Sequence, residues 1–188
     1  MKKSWIWPVI IIGIIGIWFA ASYNGFVNKE EDVNQSYSQI ETQLQRRVDL
    51  VPNLVNTVKG YASHEKKVLK DISDARARLA GAQSTQEQAQ ANDQLTGALS
   101  RLLVIQEQYP NLKADKQFTQ LMDELAGTEN RIAVARRDYN QEVASYNKKV
   151  KRFPGALIAG IGGFDEKEYF KANANAKEPP KVDFGGNG

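Results

Sequence analysis

The chain opens with an apolar stretch and continues as a long region in which apolar residues recur periodically. No residue between Trp5 and Ala21 is charged, and this stretch would span roughly 25 Å as a helix at 1.5 Å per residue. Extension to Val27 gives about 34 Å, enough to cross the hydrocarbon core of a bilayer. The aromatic residues that could form interfacial belts at its two ends are Trp5 and Trp7, and Trp18 and Tyr23. The pattern predicts a basic N-terminus at residues 1–4 and a transmembrane anchor over residues 5–27.

A cleaved signal peptide is the alternative interpretation of this stretch. Lys2 and Lys3 would form its basic region, and residues 20–22 offer small side chains for a cleavage site. The apolar part is longer than that of an ordinary signal peptide, and the bulky Trp18 and Phe19 lie close to any cut. These features favour a retained anchor.

The charges that flank the anchor predict its orientation. Lys2 and Lys3 precede it, whereas residues 29–32, of mixed charge, follow it. The positive-inside rule then places the N-terminus in the cytoplasm and the bulk domain outside. Because the bias rests on two lysines, a cytoplasmic bulk domain stays open as the alternative.

Three small residues, Gly13, Gly16 and Ala20, share one face of the anchor. Gly16 and Ala20 have the small-xxx-small spacing through which membrane helices pack closely. One interpretation is self-association within the membrane. Glycine is common in membrane helices, so the same face is also compatible with a span that has no partner.

From Val33 to Leu79 nearly every step between apolar residues is three or four, which predicts an amphipathic helix. One longer gap occurs at the polar patch around Glu65. Pro52 lies inside the stripe, and its ring and missing N–H disfavour a straight helix. Since the stripe keeps its phase through Pro52, we expect one long helix with a kink near Leu50.

Two further helices are predicted beyond this stripe. Ser84 or Thr85 can cap a second helix over residues 86–109, and Asp115 can cap a third. Pro154, followed by glycine, stops the third helix. No period-two alternation indicates a sheet. The pattern therefore predicts helices only.

The tail at residues 154–188 mixes apolar residues with glycine and proline, so it cannot form a core of its own. We expect it to pack on the helices, with a loose end from Lys177 and a flexible apolar turn at residues 155–163. The predicted fold is all-α: a transmembrane helix, then an elongated antiparallel helical bundle of three to four long helices at residues 28–153, then this irregular tail.

Composition narrows the chemistry. The 188 residues include one histidine and no cysteine. The lack of cysteine excludes disulfides, thiolate metal sites and a cysteine nucleophile. A metalloprotease motif at His64 would need a second histidine where Val68 stands, and a di-iron motif would need glutamate where Tyr61 stands. The net charge of +3 is too small to indicate nucleic-acid binding. We expect no cofactor, no metal and no nucleic-acid partner.

Charged residues near the apolar stripes form the candidate polar network. Arg47 lies seven residues after Ile40, close to the stripe, and a buried arginine must be paired. The structural interpretation is that Arg46 or Arg47 meets Glu129 or Glu107 and sets helix register. The functional one is that the same residues form a docking surface. The candidate set is Arg46, Arg47, Asp49, Glu107, Glu129 and Arg136.

A basic run, Lys148, Lys149, Lys151 and Arg152, precedes Phe153. Such a run can attract anionic lipid, at about 1 kcal/mol per charge near a membrane surface. In an up-down-up bundle, however, the third helix runs away from the anchor, and the charges also complement the dipole at its C-terminal end. We therefore expect a solvated helix end far from the membrane.

Several sequence blocks resemble the LemA family. The longest is residues 39–65, QIETQLQRRVDLVPNLVNTVKGYASHE, and two others are residues 107–114, EQYPNLKA, and residues 128–133, TENRIA. The resemblance implies a bacterial protein with one N-terminal membrane helix, an antiparallel helical bundle and no established enzymatic activity. It also implies that the large domain can be cytoplasmic, opposite to the charge bias.

The expected function is that of a non-enzymatic single-pass protein whose bundle self-assembles or scaffolds partners at the bacterial cell membrane. Its expected partners are the lipid bilayer and other copies of the chain, and the sequence identifies no protein partner. The alternative is a tethered accessory or regulator of an envelope protease or lipid-modifying enzyme. A third hypothesis is an enzyme that uses Arg47, Asp49 and Glu129.

Overall fold

The computed structural model describes residues 5–171, and these form six helices without a β-strand. The helices are α1 (Ile6–Tyr61), α2 (Lys66–Gly81), α3 (Thr85–Gln108), α4 (Pro110–Lys113), α5 (Lys116–Lys151) and α6 (Gly155–Gly162). The prediction of an all-helical chain is confirmed for this part. The predicted loose end from Lys177 lies outside the described residues.

The helices build two compact units. The first unit is Met1–Gln43 with Asn130–Tyr169, and the second unit is Leu44–Glu129 with Phe170–Gly188. Helices α1 and α5 contribute to both units, α6 belongs to the first, and α2, α3 and α4 belong to the second.

In the first unit α1 and α5 run antiparallel. The ring centroids of Phe26 and Tyr146 are 6.4 Å apart, and those of Tyr37 and Tyr139 are 5.5 Å apart. The buried residues of this core are seven positions apart on α1 and three, four or seven apart on α5, so each set lies on one helix face, as the apolar stripes predict. They are Phe26, Val33, Ile40, Ile132, Tyr139, Val143 and Tyr146.

Helix α6 replaces the flexible turn expected at residues 155–163, so that expectation is wrong. Its Ile158 and Ala159 are buried, and Gly163 ends it at φ 73°, a left-handed conformation suited to glycine. A Cβ on Gly155 would lie 2.4 Å from the Lys149 carbonyl oxygen. The glycine content alone disfavours a helix here. Burial of one apolar face and the close approach of Gly155 to α5 stabilise it nevertheless.

In the second unit α2 and α3 run antiparallel: Arg78 meets Gln94 at 2.9 Å and Asp71 meets Arg101 at 2.5 Å. The predicted caps are confirmed. Ser84 and Glu87 form a capping box at the start of α3. Asp115 accepts a hydrogen bond of 2.8 Å from the Phe118 N–H at the start of α5.

The expected single kinked helix over residues 33–79 is wrong, because α1 ends at Tyr61 and α2 begins at Lys66. The chain turns where the apolar stripe has its gap. Residues 63–65 are polar, so a helix that continued through them would have no apolar side chains to pack against a neighbouring helix. The turn has side-chain contacts instead: the Tyr61 hydroxyl bonds Asp115 at 2.8 Å, and the Tyr109 hydroxyl bonds Glu65 at 3.2 Å.

Helix α1 nevertheless continues through Pro52. Proline has no N–H to donate to the carbonyl four residues earlier, which here is that of Val48. The Arg76 guanidinium of α2 donates its Nε–H to this carbonyl oxygen at 2.8 Å. A neighbouring helix therefore supplies the donor that Pro52 lacks.

Because the Arg76 Nε–H takes the place of the backbone N–H that Pro52 lacks, we expect energetic coupling between residues 52 and 76. Arg76→Met should lower the free energy of unfolding by about 1–2 kcal/mol, since it leaves the Val48 carbonyl unsatisfied. In a Pro52→Ala background the alanine N–H can donate to the Val48 carbonyl. Arg76→Met should then lower the free energy of unfolding by less than about 0.5 kcal/mol. Urea unfolding of the detergent-solubilised full chain, followed by far-UV circular dichroism, measures both costs.

Arg78→Met is the matched control on α2, because Arg78 is exposed and bonds only the Gln94 side chain among the contacts described. Its cost should not depend on residue 52. Equal costs of Arg76→Met in the two backgrounds would contradict the coupling.

Candidate functional site

A buried arginine lies at the centre of the second unit. Arg47 of α1 is 2% exposed, and its guanidinium donates to the Glu129 carboxylate of α5 and to Asn92 Oδ1 of α3 at 2.6 Å. Thr96 of α3 donates to the same Glu129 carboxylate at 3.0 Å. We call Arg47, Asn92, Thr96 and Glu129 the Arg47 cluster. It joins three helices.

The helical period explains how these side chains meet. Arg47 lies beside Val48 and seven residues after Ile40, so it shares the buried face of α1. Asn92 and Thr96 are four residues apart on α3 and therefore lie on one face. Nothing in composition marks Asn92 or Thr96. The available signal is that Asn92 precedes Leu95 by three residues and so falls on the apolar stripe.

Burial dominates the electrostatics of the cluster. It lowers the pKa of the Arg47 guanidinium, and the Glu129 carboxylate opposes this effect. Arginine ionises so far above neutral pH that the group remains a cation. Arg47 Nε and Asn92 Nδ2 are buried without a hydrogen-bond partner in the described part of the chain. A buried cation compensated by one carboxylate is suited to fixing the register between the helices it joins.

The structure brings together two of the six candidate network residues, Arg47 and Glu129. Arg46 meets Glu124 at 3.5 Å on the surface. The other three candidates have local or separate surroundings. Asp49 accepts from Gln45 at 2.8 Å, Glu107 pairs with Lys113 at 2.7 Å, and Arg136 belongs to the first unit.

His64 lies exposed in the turn between α1 and α2. Among residues 5–171 no group of three or more His, Asp or Glu side chains is arranged to hold a metal ion. The described part of the chain thus offers His64 no metal-ligating companions.

The first half of α1 is long and apolar enough to cross a membrane, judged by length and composition. Its apolar window is wholly unburied within the chain. A Cβ added to Gly13 or Gly16 would meet no atom within 4 Å, and Ala20 is exposed. Close packing among the described residues therefore does not require glycine at position 13 or 16.

The C-terminal end of α5 lies against the end of this stretch, and the expected distal position of its basic run is therefore wrong. Lys149 Nζ is 4.4 Å from the centroid of the Phe26 ring. The expectation treated α1 and α2 as one helix. The additional reversal after Tyr61 makes α5 antiparallel to α1, so that its end returns to residue 26.

An open groove of about 560 Å³ runs between α1 and α5 in the first unit. Its lining includes Gln35, Gln39 and Gln43 of α1 and Arg131, Val134 and Asp138 of α5. Amide side chains dominate one wall, and Val134 is half exposed on the other. The groove thus has one polar wall and one wall of mixed character.

The unequal burial of the two charges predicts unequal mutational costs. Glu129→Ala would leave a buried guanidinium uncompensated, and should lower the free energy of unfolding by about 3 kcal/mol or more. Arg47→Met leaves a carboxylate that is 36% exposed and can be hydrated, so about 1–2 kcal/mol is expected. Chemical unfolding of the full chain in detergent measures both.

Arg46→Met removes a neighbouring exposed ion pair and is the control, with an expected cost within about 1 kcal/mol. If Arg47→Met lowered the free energy of unfolding more than Glu129→Ala does, the result would contradict the burial of Arg47 and the partial exposure of Glu129. If all three variants unfold like the wild type, the cluster does not set helix register.

Comparison with known proteins extends the resemblance seen in the sequence. A model of the LemA family matches residues 36–184. Magnetosome protein MamQ 2 of Paramagnetospirillum magneticum is 29% identical over 183 residues, which cover 84% of this chain and 67% of that protein. Magnetosome protein MamQ of Magnetospirillum gryphiswaldense is 30% identical over 174 residues, 79% of this chain and 64% of that protein.

A third relative is Protein LemA of Metamycoplasma hominis, 27% identical over 149 residues, which cover 77% of this chain and 67% of the relative. The chain spans 64–67% of the length of these relatives. The family match covers well over half of the sequence and includes both α5 and the Arg47 cluster. On this evidence the chain belongs to the LemA family.

Proposed function

We propose that the chain is a non-enzymatic single-pass membrane protein of the LemA type, which acts as a self-assembling or partner-binding helical scaffold at the bacterial cell membrane. One observation carries the proposal: α1 has an apolar window with no buried residue, and the same helix continues into a packed core that begins at Phe26. Covering each large apolar side chain of that window is favourable by about 1.5–3 kcal/mol, which a bilayer would provide.

The structure of α1 supports a mechanical role for the anchor. The helix passes from the apolar window into the packed core of the first unit without a break. Just beyond the window, Lys29 pairs with Glu142 at 3.1 Å and Lys167 with Glu30 at 2.5 Å. These pairs tie α1 to the rest of the unit. In this proposal the first unit is held at a fixed angle to the membrane, without a flexible linker.

The proposed scaffold is an elongated antiparallel bundle with the N-terminus in the cytoplasm and the bulk domain outside. The antiparallel pairing within each unit supports the first part. The proposed orientation is supported by the flanking charges: Lys2 and Lys3 precede the window, whereas residues of mixed charge follow it.

Orientation is testable with a single thiol, because the chain has no cysteine. Gln83→Cys places it at an exposed turn and leaves the Ser84 cap intact. A membrane-impermeant maleimide should label this thiol in intact cells, with the outer membrane permeabilised if one is present. Protection until the inner membrane is lysed would place the bulk domain in the cytoplasm and contradict the proposed orientation.

Self-association would use the face formed by Gly13, Gly16 and Ala20. A Cβ on either glycine would meet nothing within 4 Å in the described chain, and Ala20 is exposed. The alternative function is that of an accessory or regulator of an envelope protease or lipid-modifying enzyme. The groove between α1 and α5 favours this alternative, since it could seat a partner segment.

A matched pair of cysteine variants distinguishes the two functions. Ala20 and Ala21 are both exposed and lie at the same depth, about 100° apart around the helix. Oxidation in membranes should form a disulfide-linked dimer with Ala20→Cys and at least about tenfold less with Ala21→Cys, because the small face brings backbones together. Equal yields, or none from either, would contradict self-association through this face and leave the accessory role.

A further inference from the structure

A pocket of about 400 Å³ lies where the apolar window of α1 ends. Its wall on α1 is formed by Trp18, Ser22 and Phe26, which are spaced four residues apart. The other side is lined by Lys148 and Lys149 of α5 and by Arg152, which follows it, with Phe153 and the start of α6. Aromatic, apolar and basic groups thus meet in one cavity of the first unit.

The three cations of this pocket have no compensating carboxylate among the described residues. No acidic side chain within residues 5–171 forms an ion pair with Lys148, Lys149 or Arg152. The adjacent Lys151, in contrast, pairs with Glu166 at 2.7 Å. Lys149 is half buried over the Phe26 ring, and its pKa is lowered by burial and by the nearby charge of Lys29. An anion placed here would relieve this unfavourable electrostatic environment.

The height of the pocket along α1 fits a lipid headgroup. A span that begins near Trp5 crosses a hydrocarbon core of about 30 Å in about 20 residues, and so ends close to Asn24. Lys149 Nζ lies against Gly25 and over Phe26. In a membrane-inserted chain the basic groups therefore occupy the level of the phosphates, and Trp18 lies about 9 Å deeper, at the level of the acyl chains.

An apolar ridge continues the pocket toward the bilayer. Phe153 is 82% exposed, and Leu157 and Ile161 follow at intervals of four residues, also exposed. Helix α6, which carries the last two, is held close to its neighbours at both ends. A Cβ on Gly155 would collide with the Lys149 carbonyl, and one on Gly162 would collide with the Phe164 ring. Such a ridge beside a span suits insertion at the headgroup boundary.

We infer that Lys148, Lys149 and Arg152 form a binding site for the phosphate of an anionic phospholipid, whose acyl chains lie along Trp18, Phe153 and the exposed face of α6. Lysine and arginine bind phosphate through charge-assisted hydrogen bonds. A free phosphate would use the same cations but not the apolar ridge. The inference rests on the proposed membrane anchoring and adds a chemical preference to it.

The test uses the full chain in a non-ionic detergent. Trp5→Phe and Trp7→Phe leave Trp18, which lines the pocket, as the sole tryptophan of the three. Its fluorescence is followed while short-chain phosphatidylglycerol is added, with phosphatidylcholine and inorganic phosphate as parallel probes. Saturable binding of phosphatidylglycerol is expected, at least about tenfold tighter than that of phosphatidylcholine and not displaced by millimolar phosphate.

A triple variant should weaken phosphatidylglycerol binding roughly a hundredfold, about fivefold per charge. It combines Lys148→Gln, Lys149→Gln and Arg152→Gln. The matched control changes three exposed lysines, Lys59, Lys66 and Lys67, to Gln for the same loss of charge, and should bind as the wild type does. A double variant, Lys148→Gln with Arg152→Gln, alters only exposed side chains. It should lose about twenty-five-fold even if the triple variant misfolds.

Three results would overturn the inference: equal affinity for the two lipids, phosphate that competes as a free anion, or equal losses in the control and the pocket variants. Flotation of the wild type with phosphatidylcholine vesicles keeps these failures separate from failure of the anchor. A chain that floats but shows no lipid preference contradicts the headgroup site alone. A chain that does not float with either lipid contradicts the proposed anchoring, and the headgroup site with it.

Discussion

The second unit depends on the need to compensate one buried cation. Arg47 enters the core of this unit on α1, and its guanidinium is held by Asn92 of α3 and Glu129 of α5. The next residue, Val48, offers its carbonyl to Arg76 of α2, because Pro52 cannot bond it. Two consecutive residues thus connect α1 with three other helices. Apolar packing alone would tolerate a helix slid by one turn, whereas these directional contacts do not.

The first unit shows a different constraint, since α1 has an apolar window that the chain leaves uncovered and a continuation that packs in a core. The apolar window of α1 is unburied within the chain, while its continuation from Phe26 packs against α5 and Phe164. The basic end of α5 and the apolar α6 meet this transition. Basic and apolar side chains are thus separated along α1 as they would be at an interface between hydrocarbon and water, which is the basis of the proposed membrane anchoring.

Several features were predictable because they depend on neighbours in sequence. The caps at Ser84 and Asp115 need a side chain and an N–H three residues away. The apolar stripe of α1 follows from the helical period, and its positions from Val33 to Val58 are mostly buried, whereas Tyr37 is half-buried. The end of α1 was misplaced, although the gap in the stripe at residues 63–65 marked it, because Pro52 was the stronger local signal.

By itself the sequence determined the helical class, the apolar window, the caps and the family blocks, all of which rest on local spacing and composition. Only the tertiary structure decided which partner Arg47 takes, that Arg76 compensates for Pro52, and that the basic end of α5 returns to Phe26. The physical reason is that each of these depends on the number of chain reversals and on the register between helices distant in sequence. A single additional turn after Tyr61 changed the direction of α5, and with it the environment of the basic run.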